Sequence, residues 1–322
     1  MSDLDKTAQA AVTQAVHDAA AEAERRLDPE AIRAAAETAL DAVKAASGAE
    51  RPEDPVAEAY RKYELGHHKN RPTVREYIPL IFDGFMEMHG DRLFGDDPAM
   101  LTGIAMFRGV PVTVIGTVKG SGTKENIACN FGMAKPEGYR KALRQMKLAE
   151  KFGRPIITFI DTSGAYCDIA SEERGQSEAI AHNLRGMFGL RVPIVTILTG
   201  EGGSGGALAL ACADRVFILE NATYSVISPR GFASLLWKDP SREREAVAKQ
   251  RMTSDELLAM GVVDRVIPEP PEGAHKDHPA AAANIAGVLD GALGELCALP
   301  GDELLERRYE KFRKIGVYNG EI

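Results

Sequence analysis

Cysteine is scarce in this chain and is never paired at short spacing. The four cysteines among 322 residues are Cys129, Cys167, Cys212 and Cys297. Zinc knuckles and dithiol redox sites need C-x-x-C pairs, so the sequence predicts neither, and no metal site is expected in this chain. Cys212 lies in an apolar segment and is expected to be a buried small hydrophobe. No basic neighbour adjoins Cys167 to activate its thiol.

An excess of basic residues and a long hydrophobic run are also missing. Lys and Arg total 39 against 47 Asp and Glu, a net charge of −8, which argues against nucleic acid as the main partner. No apolar run approaches the roughly 20 residues that a membrane-spanning helix needs. The first residues, MSDLDKTAQAAV, lack the basic start and apolar centre of a secretion signal. A cytoplasmic location is therefore expected.

Helix and strand patterns alternate through the chain, which favours an α/β fold with mostly parallel strands. We expect a helical extension and linker over 1–70, a core over 71–275 and C-terminal helices over 276–322. The extension is predicted to hold two helices within 4–46 and a polar connector over 47–70. The patterns predict further helices over 73–88, 136–152, 172–190, 205–212, 254–260, 281–299 and 302–315, and strands over 99–107, 110–118, 155–160, 194–198, 215–219, 224–227 and 262–267.

The segment 192–211, VPIVTILTGEGGSGGALALA, is the most informative in the chain. A β-branched strand pattern meets five glycines and one serine and then turns directly into an Ala/Leu helix. A similar unit lies upstream, where the strand over 155–160 runs into Asp161-Thr162-Ser163-Gly164-Ala165-Tyr166. A strand that re-enters as a helix leaves backbone N–H groups free at the helix start, and such groups stabilise negative oxygen.

Dinucleotide binding is one interpretation of these glycines. Gly200, Gly202 and Gly205 satisfy G-x-G-x-x-G after a strand, and Glu220 ends the next strand, where a ribose-binding acid could lie. However, only residues 206–213 separate the glycines from that strand. This is about two helical turns, which is short for the crossover helix of a dinucleotide fold.

Hydrolysis by a serine nucleophile is the second interpretation, since Gly202-Gly203-Ser204-Gly205-Gly206 also satisfies G-x-S-x-G. Ser204 would then need an acid and a histidine, and Asp264 with His275 or His278 has the required order. Both histidines lie in a Pro-rich segment that is typical of an exposed loop, so a small polar residue at a helix start is the favoured interpretation of Ser204.

A backbone oxyanion hole is the third interpretation and the one that we favour. Gly205, Gly206 and Ala207 are small, so a substrate oxygen can approach their N–H groups closely. The Gly164-Ala165 turn could serve the same site or a facing one. This interpretation needs no additional partner residue, unlike the other two.

Several segments together resemble the α subunit of bacterial acetyl-CoA carboxylase carboxyltransferase, over residues 71–274. The C-terminal Arg307-Arg308-Tyr309 is also similar. The segments that carry the resemblance are residues 82–91 with their GDR turn, KGSGTKENIACNFGMAKPEGYR from Lys119, PIITFIDTSGAYCDIASEERGQSEAIAHN, GEGGSGGAL, YSVISPRGFASLLW and IPEPPEGAH.

The resemblance implies a crotonase-like (ClpP/crotonase) spiral of ββα units and transfer of a carboxyl group from carboxybiotin to acetyl-CoA, giving malonyl-CoA for fatty-acid synthesis. It implies a β subunit that carries a zinc finger and mainly holds acetyl-CoA, in an α2β2 assembly. A biotin carboxyl carrier protein would present the carboxybiotin, and a biotin carboxylase would complete the system, with ATP binding among the expected properties. Zinc is expected only in the β subunit.

In this setting, we expect Gly206 and Ala207, with Gly205 shaping the turn, to hold the ureido oxygen of biotin. Gly164 and Ala165 are expected to supply further backbone donors. The vicinity of carboxybiotin is expected to include Gly202, Gly203, Ser204 and Tyr166, and Lys119 and Lys124 are candidate anion contacts.

The chain departs from the family pattern at several positions. Ser163 stands in place of a usual proline, which would stiffen its turn. Arg230 replaces a usual glutamate and so reverses a charge. Ser121-Gly122 removes one cation from a loop, and Cys167-Asp168 replaces a Pro-Gly or Cys-Gly pair. Two alternatives therefore stay open: action on another acyl-CoA, and a degenerate assembly subunit without catalysis.

Overall fold

A mixed β-sheet forms the centre of the computed structural model, which describes residues 54–316. The strands are β1 (Asp83–Glu87), β2 (Met100–Phe107), β3 (Val110–Thr117), β4 (Ile156–Thr162), β5 (Ile194–Gly203), β6 (Arg215–Leu219), β7 (Thr223–Ser225) and β8 (Arg265–Ile267). Their spatial order is β1-β2-β3-β4-β5-β6-β8, with β7 beside the end of β5. The predicted α/β class is confirmed. The two helices predicted within 4–46 lie outside the described residues.

The sheet changes from antiparallel to parallel along its width. The strands β1, β2 and β3 pair antiparallel, and β3, β4, β5, β6 and β8 pair parallel. The strands predicted over 99–107 and 110–118 form a hairpin, and Arg108 and Gly109 both have positive φ (47° and 81°), as a two-residue hairpin turn of matching twist requires. All seven residues of β4 are buried, as expected for a strand covered on both faces.

Helices cover the sheet and connect its parallel strands. They are α1 (Pro55–Gly66), α2 (Val74–Ile81), α3 (Thr123–Ala128), α4 (Pro136–Lys151), α5 (Ile169–Glu173), α6 (Gln176–Gly189), α7 (Ser204–Leu208), α8 (Pro229–Phe232), α9 (Glu243–Gln250), α10 (Ser254–Ala259), α11 (His278–Leu296) and α12 (Gly301–Arg313). In α4, Pro136 occupies the first turn, and Tyr139, Ala142 and Met146 lie buried on one face at helical spacing.

Three predictions of local structure were wrong. The polar connector contains helix α1, because the Asp54 side chain caps it by accepting from Val56 and Ala57 N–H. The helix predicted over 73–88 ends at Ile81, and the residues that follow form β1 along the edge of β2. The helix predicted over 172–190 is two helices, α5 and α6, separated at Gly175 (φ 79°).

Helix α1 packs against α9, and the domain boundaries at 70 and 275 remain a prediction. Within the described range, no helix taken singly combines the length and hydropathy of a membrane span. The bent pair α11 and α12 meets that test only jointly.

Candidate functional site

The two glycine turns predicted from the sequence lie against each other. A Cβ placed on Gly203 would stand 2.1 Å from the Ser163 carbonyl oxygen, and one on Gly206 would stand 2.4 Å from the Gly164 carbonyl carbon. Backbones approach this closely because Gly203 and Gly206 have no side chain to keep the facing turn away. The ends of β4 and β5 therefore bring their turns together at one place.

Helix α7 begins at Ser204, directly after β5. Ser204 is exposed and has a left-handed backbone (φ 49°). In a helix with this start, the N–H groups of Ser204, Gly205 and Gly206 have no intrahelical acceptor, whereas Ala207 is the first residue whose N–H can bond back, to Gly203. The expectation that Ala207 supplies a free donor is therefore corrected. Gly205 and Gly206 are the better placed pair.

Space is available in front of Gly205. A Cβ there would meet only Ile180, at 3.8 Å. Gly206 and Ala207 are buried, whereas Gly205 is partly accessible. A substrate oxygen can therefore reach this turn from the side of Gly205.

The upstream turn is held by a hydroxyl. Thr162 Oγ1 accepts from Gly164 N–H at 3.1 Å and donates to Gly164 O at 2.7 Å. The N–H of Gly164 is thus occupied, which corrects the expectation that it is a free donor. Tyr166 N–H is also occupied, by Ala134 O at 3.0 Å. Among residues 54–316, no acceptor faces Ala165 N–H within hydrogen-bonding distance, so Ala165 is the candidate donor of this turn.

A lysine that the sequence analysis did not single out lies beside this turn. Lys135 Nζ is 5.2 Å from the centre of the Tyr166 ring, a cation–π distance. Lys135 is the residue before α4, and its N–H donates to Asp97 Oδ2 at 2.7 Å. Tyr166 is partly exposed, and its carbonyl accepts from Gln176.

Strand β5 contains a bulge just before its glycines. Ile160 pairs with Leu198 and Thr162 pairs with Gly202. Between these two pairs the chain advances by two residues on β4 and by four residues on β5. The extra residues lie within Thr199, Gly200 and Glu201. A bulge of this kind changes the direction of the strand that follows it. Here the residues that follow are the glycine turn, so the bulge affects the direction of that turn.

Charged side chains surround the bulge. Lys119 Nζ lies 2.6 Å from Glu201 Oε1 and 2.9 Å from Asp161 Oδ1. His67 Nε2 lies 2.8 Å from Glu201 Oε2. Burial raises the pKa of the Glu201 carboxyl, but the His67 hydrogen bond and the Lys119 charge outweigh that effect and lower it to about 2. Burial also lowers the Lys119 pKa, and the two carboxylates outweigh that and raise it.

The two lysines predicted as anion contacts have different surroundings. Lys119 pairs with two carboxylates of the protein, and its contact with a substrate anion stays a prediction. Lys124 is exposed on α3, no carboxylate in the described part of the chain pairs with it, and its role as an anion contact also stays a prediction.

The hydrolase and dinucleotide interpretations lack their partner residues. Asp264 accepts from Lys311 Nζ and from Val216 N–H at 2.6 Å, rather than from a histidine. His275 stacks on His68 with ring centres 3.8 Å apart. The partly buried Glu220 carboxylate accepts from Glu269 N–H at 3.1 Å, so it already has a partner within the protein.

Two of the departures from the family pattern lie on the surface. Arg230 is exposed at the start of α8, and within residues 54–316 no carboxylate pairs with it. Ser163 is exposed, and its turn is held by Thr162 and by backbone contact with Gly203. The turn is therefore secured without the proline.

Sequence reasoning missed His67, Asp161 and Arg71 as residues that shape the site. Asp161 stands in the D-T-S-G-A segment, where a buried carboxylate at a strand end was a usable signal. His67 lies in the segment that was predicted as a polar connector over 47–70. Its true partner, Glu201, lies 134 residues away, and no local pattern predicts such a pairing.

Comparisons with known proteins give the family of the chain. The family model for acetyl co-enzyme A carboxylase carboxyltransferase-like proteins matches residues 34–316. The acetyl-coenzyme A carboxylase carboxyl transferase subunit alpha of Listeria monocytogenes serotype 4a is 55% identical over 261 residues, covering 81% of this chain and 82% of that protein. The Clostridium acetobutylicum protein of the same name is 54% identical over 259 residues, covering 80% and 94%.

Solved structures share the fold at low identity. Transcarboxylase 12S superposes with a TM-score of 0.59 and 19% identity, over 71% of this chain and 42% of that one. A Pseudomonas malonate decarboxylase hetero-tetramer gives 0.56 and 18%, over 67% and 86%. The geranyl-CoA carboxylase beta subunit of P. aeruginosa gives 0.55 and 19%, over 79% and 46%.

These superpositions confirm the predicted crotonase-like fold. The family match spans most of the chain, and the identity to the alpha-subunit proteins exceeds half over four fifths of it. The chain therefore belongs to the acetyl co-enzyme A carboxylase carboxyltransferase-like family, as an alpha subunit of the carboxyltransferase.

Proposed function

We propose that the N–H groups at the start of α7 bind the ureido oxygen of biotin while a carboxyl group passes from carboxybiotin to acetyl-CoA. The observation that carries this proposal is the junction of the two glycine turns, where Gly205 and Gly206 present N–H groups that their own helix does not use. Fixed donors of this kind stabilise an oxyanion as it forms.

The proposed chemistry balances without a side-chain nucleophile. The bond between N1 of biotin and the carboxyl carbon breaks, which releases CO₂ and leaves negative charge on the ureido group. That anion takes a proton from the methyl group of acetyl-CoA. The resulting enolate carbon attacks CO₂ and gives malonyl-CoA. Both the ureido oxygen and the enolate oxygen carry charge along this path, and each needs its own donors.

The local geometry supports the assignment of the first oxyanion to α7. The site is accessible at Gly205, where a Cβ would have a nearest neighbour 3.8 Å away, and closed behind Gly206, where the Gly164 backbone supports the turn. Ala165 N–H, on the facing turn, is a further candidate donor. Tyr166, Gly202, Gly203 and Ser204 line the same junction and remain candidates for contact with the biotin rings.

The proposed reaction requires partners. We propose that a homologous β subunit, which carries the zinc, holds acetyl-CoA and completes the site in an α2β2 assembly. A biotin carboxyl carrier protein brings the carboxybiotin, and a biotin carboxylase recharges it. ATP binding has no support in the comparisons, so we assign it to the biotin carboxylase rather than to this chain. The complex is proposed to act in the cytoplasm.

The test is a Gly205→Ala substitution in the full chain, co-expressed with its β-type partner. The methyl group fits without a clash and takes up part of the open space at Gly205, so we expect it to hinder the approach of the substrate oxygen. The backbone N–H remains in this variant, but a substrate oxygen that cannot reach it loses its donor; loss of one oxyanion donor typically lowers kcat by about 100-fold or more, which sets the upper limit of the fall that we expect in transfer from carboxylated carrier to acetyl-CoA. The control is Gly287→Ala on α11, where a Cβ meets nothing within 4 Å. Equal activity of the two variants would contradict the proposal.

The same assay separates the open alternatives. A complex that assembles normally but transfers no carboxyl group, with acetyl-CoA or with propionyl-CoA, would favour a degenerate assembly subunit. Transfer to propionyl-CoA alone would favour a different acyl-CoA substrate.

A further inference from the structure

Glu201 stands where the bulge of β5 passes into the glycine turn. It is followed by Gly202, which pairs with Thr162 across the sheet, and by Gly203, which contacts Ser163. Only three residues separate Glu201 from Gly205 along the chain. A shift of the Glu201 backbone is therefore transmitted directly to the start of α7.

Every residue of the bulge is held by a charged side chain. Arg71 Nε donates to Thr199 O at 2.5 Å. The Asp161 carboxylate packs on Gly200, where a Cβ would stand 2.3 Å from Asp161 Oδ1. The same oxygen accepts from Glu201 N–H at 3.0 Å. A backbone that has left its sheet ladder needs such partners, because unpaired buried N–H and C=O groups destabilise the fold.

The Glu201 side chain is fixed from two directions. Lys119 binds one carboxylate oxygen, and the same ammonium group binds Asp161, so it bridges the carboxylates of β4 and β5. His67 binds the other oxygen, and its Nδ1 faces Tyr63 O at 2.7 Å. Both ring nitrogens face acceptors, so the ring donates both bonds only when both nitrogens carry a proton.

The cluster is mostly shielded from water. The Glu201 side chain is 21% exposed, that of Lys119 is 22% exposed and that of Asp161 is 10% exposed. Charge-assisted hydrogen bonds at such sites are short and directional. They restrict the bulge to one conformation more strongly than exposed ion pairs would.

We propose that Glu201, held between Lys119 and His67, is a positioning residue that keeps the bulge of β5 in the one conformation that aims the N–H groups of Gly205 and Gly206 at the substrate. This inference rests on the proposed function, because it assigns Glu201 a role in the same oxyanion site. Glu201 acts through the backbone and touches no reacting atom.

The test compares Glu201→Gln with wild type in the full chain, co-expressed with its β-type partner. Misplacement of reacting groups by about 1 Å can lower a rate by roughly 100-fold, so we expect kcat for carboxyl transfer to fall by about 10- to 100-fold. KM for acetyl-CoA and for the carrier is expected to stay within about twofold, because ground-state binding is not removed. Amide hydrogen exchange in the peptide that spans 199–208 is expected to become faster.

A matched control and a double variant show whether the effect is specific to the pair of Lys119 and Glu201. Glu295→Gln removes an exposed pair with Arg215, which lies at the opposite end of the parallel strands, and is expected to change neither kcat nor exchange in 199–208. Lys119→Met should lower kcat as Glu201→Gln does, and Lys119→Arg should lower it less. The double variant of Lys119→Met and Glu201→Gln should show a smaller fall in kcat than the two single effects combined.

The outcomes are distinct. If wild type transfers carboxyl groups and Glu201→Gln keeps its kcat within twofold, or changes only KM, the positioning role is wrong while the proposed function stands. If wild type with its partner shows no transfer, the proposed function fails. If Glu201→Gln does not fold, His67→Asn, which removes one of the two bonds, is measured in its place against the same expectations.

Discussion

Gly206 and Gly164 touch through their backbones, so close that a single methyl group on Gly206 would stand 2.4 Å from the Gly164 carbonyl carbon. This contact joins the ends of two neighbouring parallel strands and fixes the distance between their turns. It has consequences for stability as well as for activity.

Substitution of Gly206 by alanine is expected to affect both properties. The added Cβ must displace the Gly164 turn, and overpacking of this kind lowers the free energy of unfolding by about 1–3 kcal/mol. Carboxyl transfer should be lost. The measurements are urea denaturation and the transfer assay. Gly287→Ala, at an open helical position, is expected to raise the free energy of unfolding by up to about 1 kcal/mol. Wild-type stability in Gly206→Ala would contradict the observed contact.

Thr162→Val tests the other turn. The substitution removes the hydroxyl that bonds both the N–H and the carbonyl of Gly164. A buried N–H left without a partner costs about 1–3 kcal/mol of stability, and kcat should fall because the turn faces the site. The stability control is Thr196→Val. Thr196 lies earlier on β5, and this variant loses the hydrogen bond from its hydroxyl to Leu210 O. We expect that variant to lose stability but to keep its kcat. Equal kcat values for both variants would exclude a special role for Thr162.

Arg308 makes the most extensive buried charged contact in the described chain. It donates to both oxygens of Asp214 at 2.8 Å and to the carbonyls of Met187, Leu190 and Val192. Arg308→Met leaves the Asp214 carboxylate buried without its cation, which should lower the free energy of unfolding by about 3–5 kcal/mol. The measurement is urea denaturation of the full chain.

The neighbouring residue provides the control for Arg308. Arg307 is 52% exposed and pairs only with Glu303 one turn away. Arg307→Met should therefore change stability by at most about 0.5 kcal/mol. Similar losses in the two variants would show that the buried contacts of Arg308 contribute less than their number indicates.

The acid stability of the fold should depend on Glu201. Its pKa is lowered to about 2 from an ordinary value of 4.5. The resulting contribution to the free energy of unfolding is present in full when the pH is above the ordinary pKa. It is lost as the pH falls from the ordinary pKa through the lowered pKa. Wild type should therefore lose about 1 kcal/mol more than Glu201→Gln between pH 7 and pH 3.5, measured by urea denaturation. Parallel curves for the two proteins would contradict the lowered pKa. Glu295→Gln is expected to follow wild type.

Much of the site was predictable because its signals are local. A strand pattern, a cluster of glycines and an Ala-rich helix predict a turn with free N–H groups, and the structure has such a turn at Gly205 and Gly206. The hairpin at Arg108-Gly109 was predictable for the same reason, since two adjacent residues determine it.

The parts that could not be predicted depend on contacts between distant residues. The bulge in β5 is defined by its register against β4, and no pattern within either strand gives that register. No local pattern around Lys119 or His67 predicts that the fold places Glu201 between them. The segment after Ile81 has helical spacing of its apolar residues, yet the open edge of β2 draws it into the sheet.

The position of Arg308 has a consequence for the order of events during synthesis. Each strand precedes α12 in the chain, so the whole sheet emerges before the guanidinium that neutralises Asp214 is available. Until then, the carboxylate at the entry to β6 stays open to water or forms only its bond to Ile194 N–H. We therefore expect the sheet to assemble loosely at first and to become rigid only when the last described helix docks.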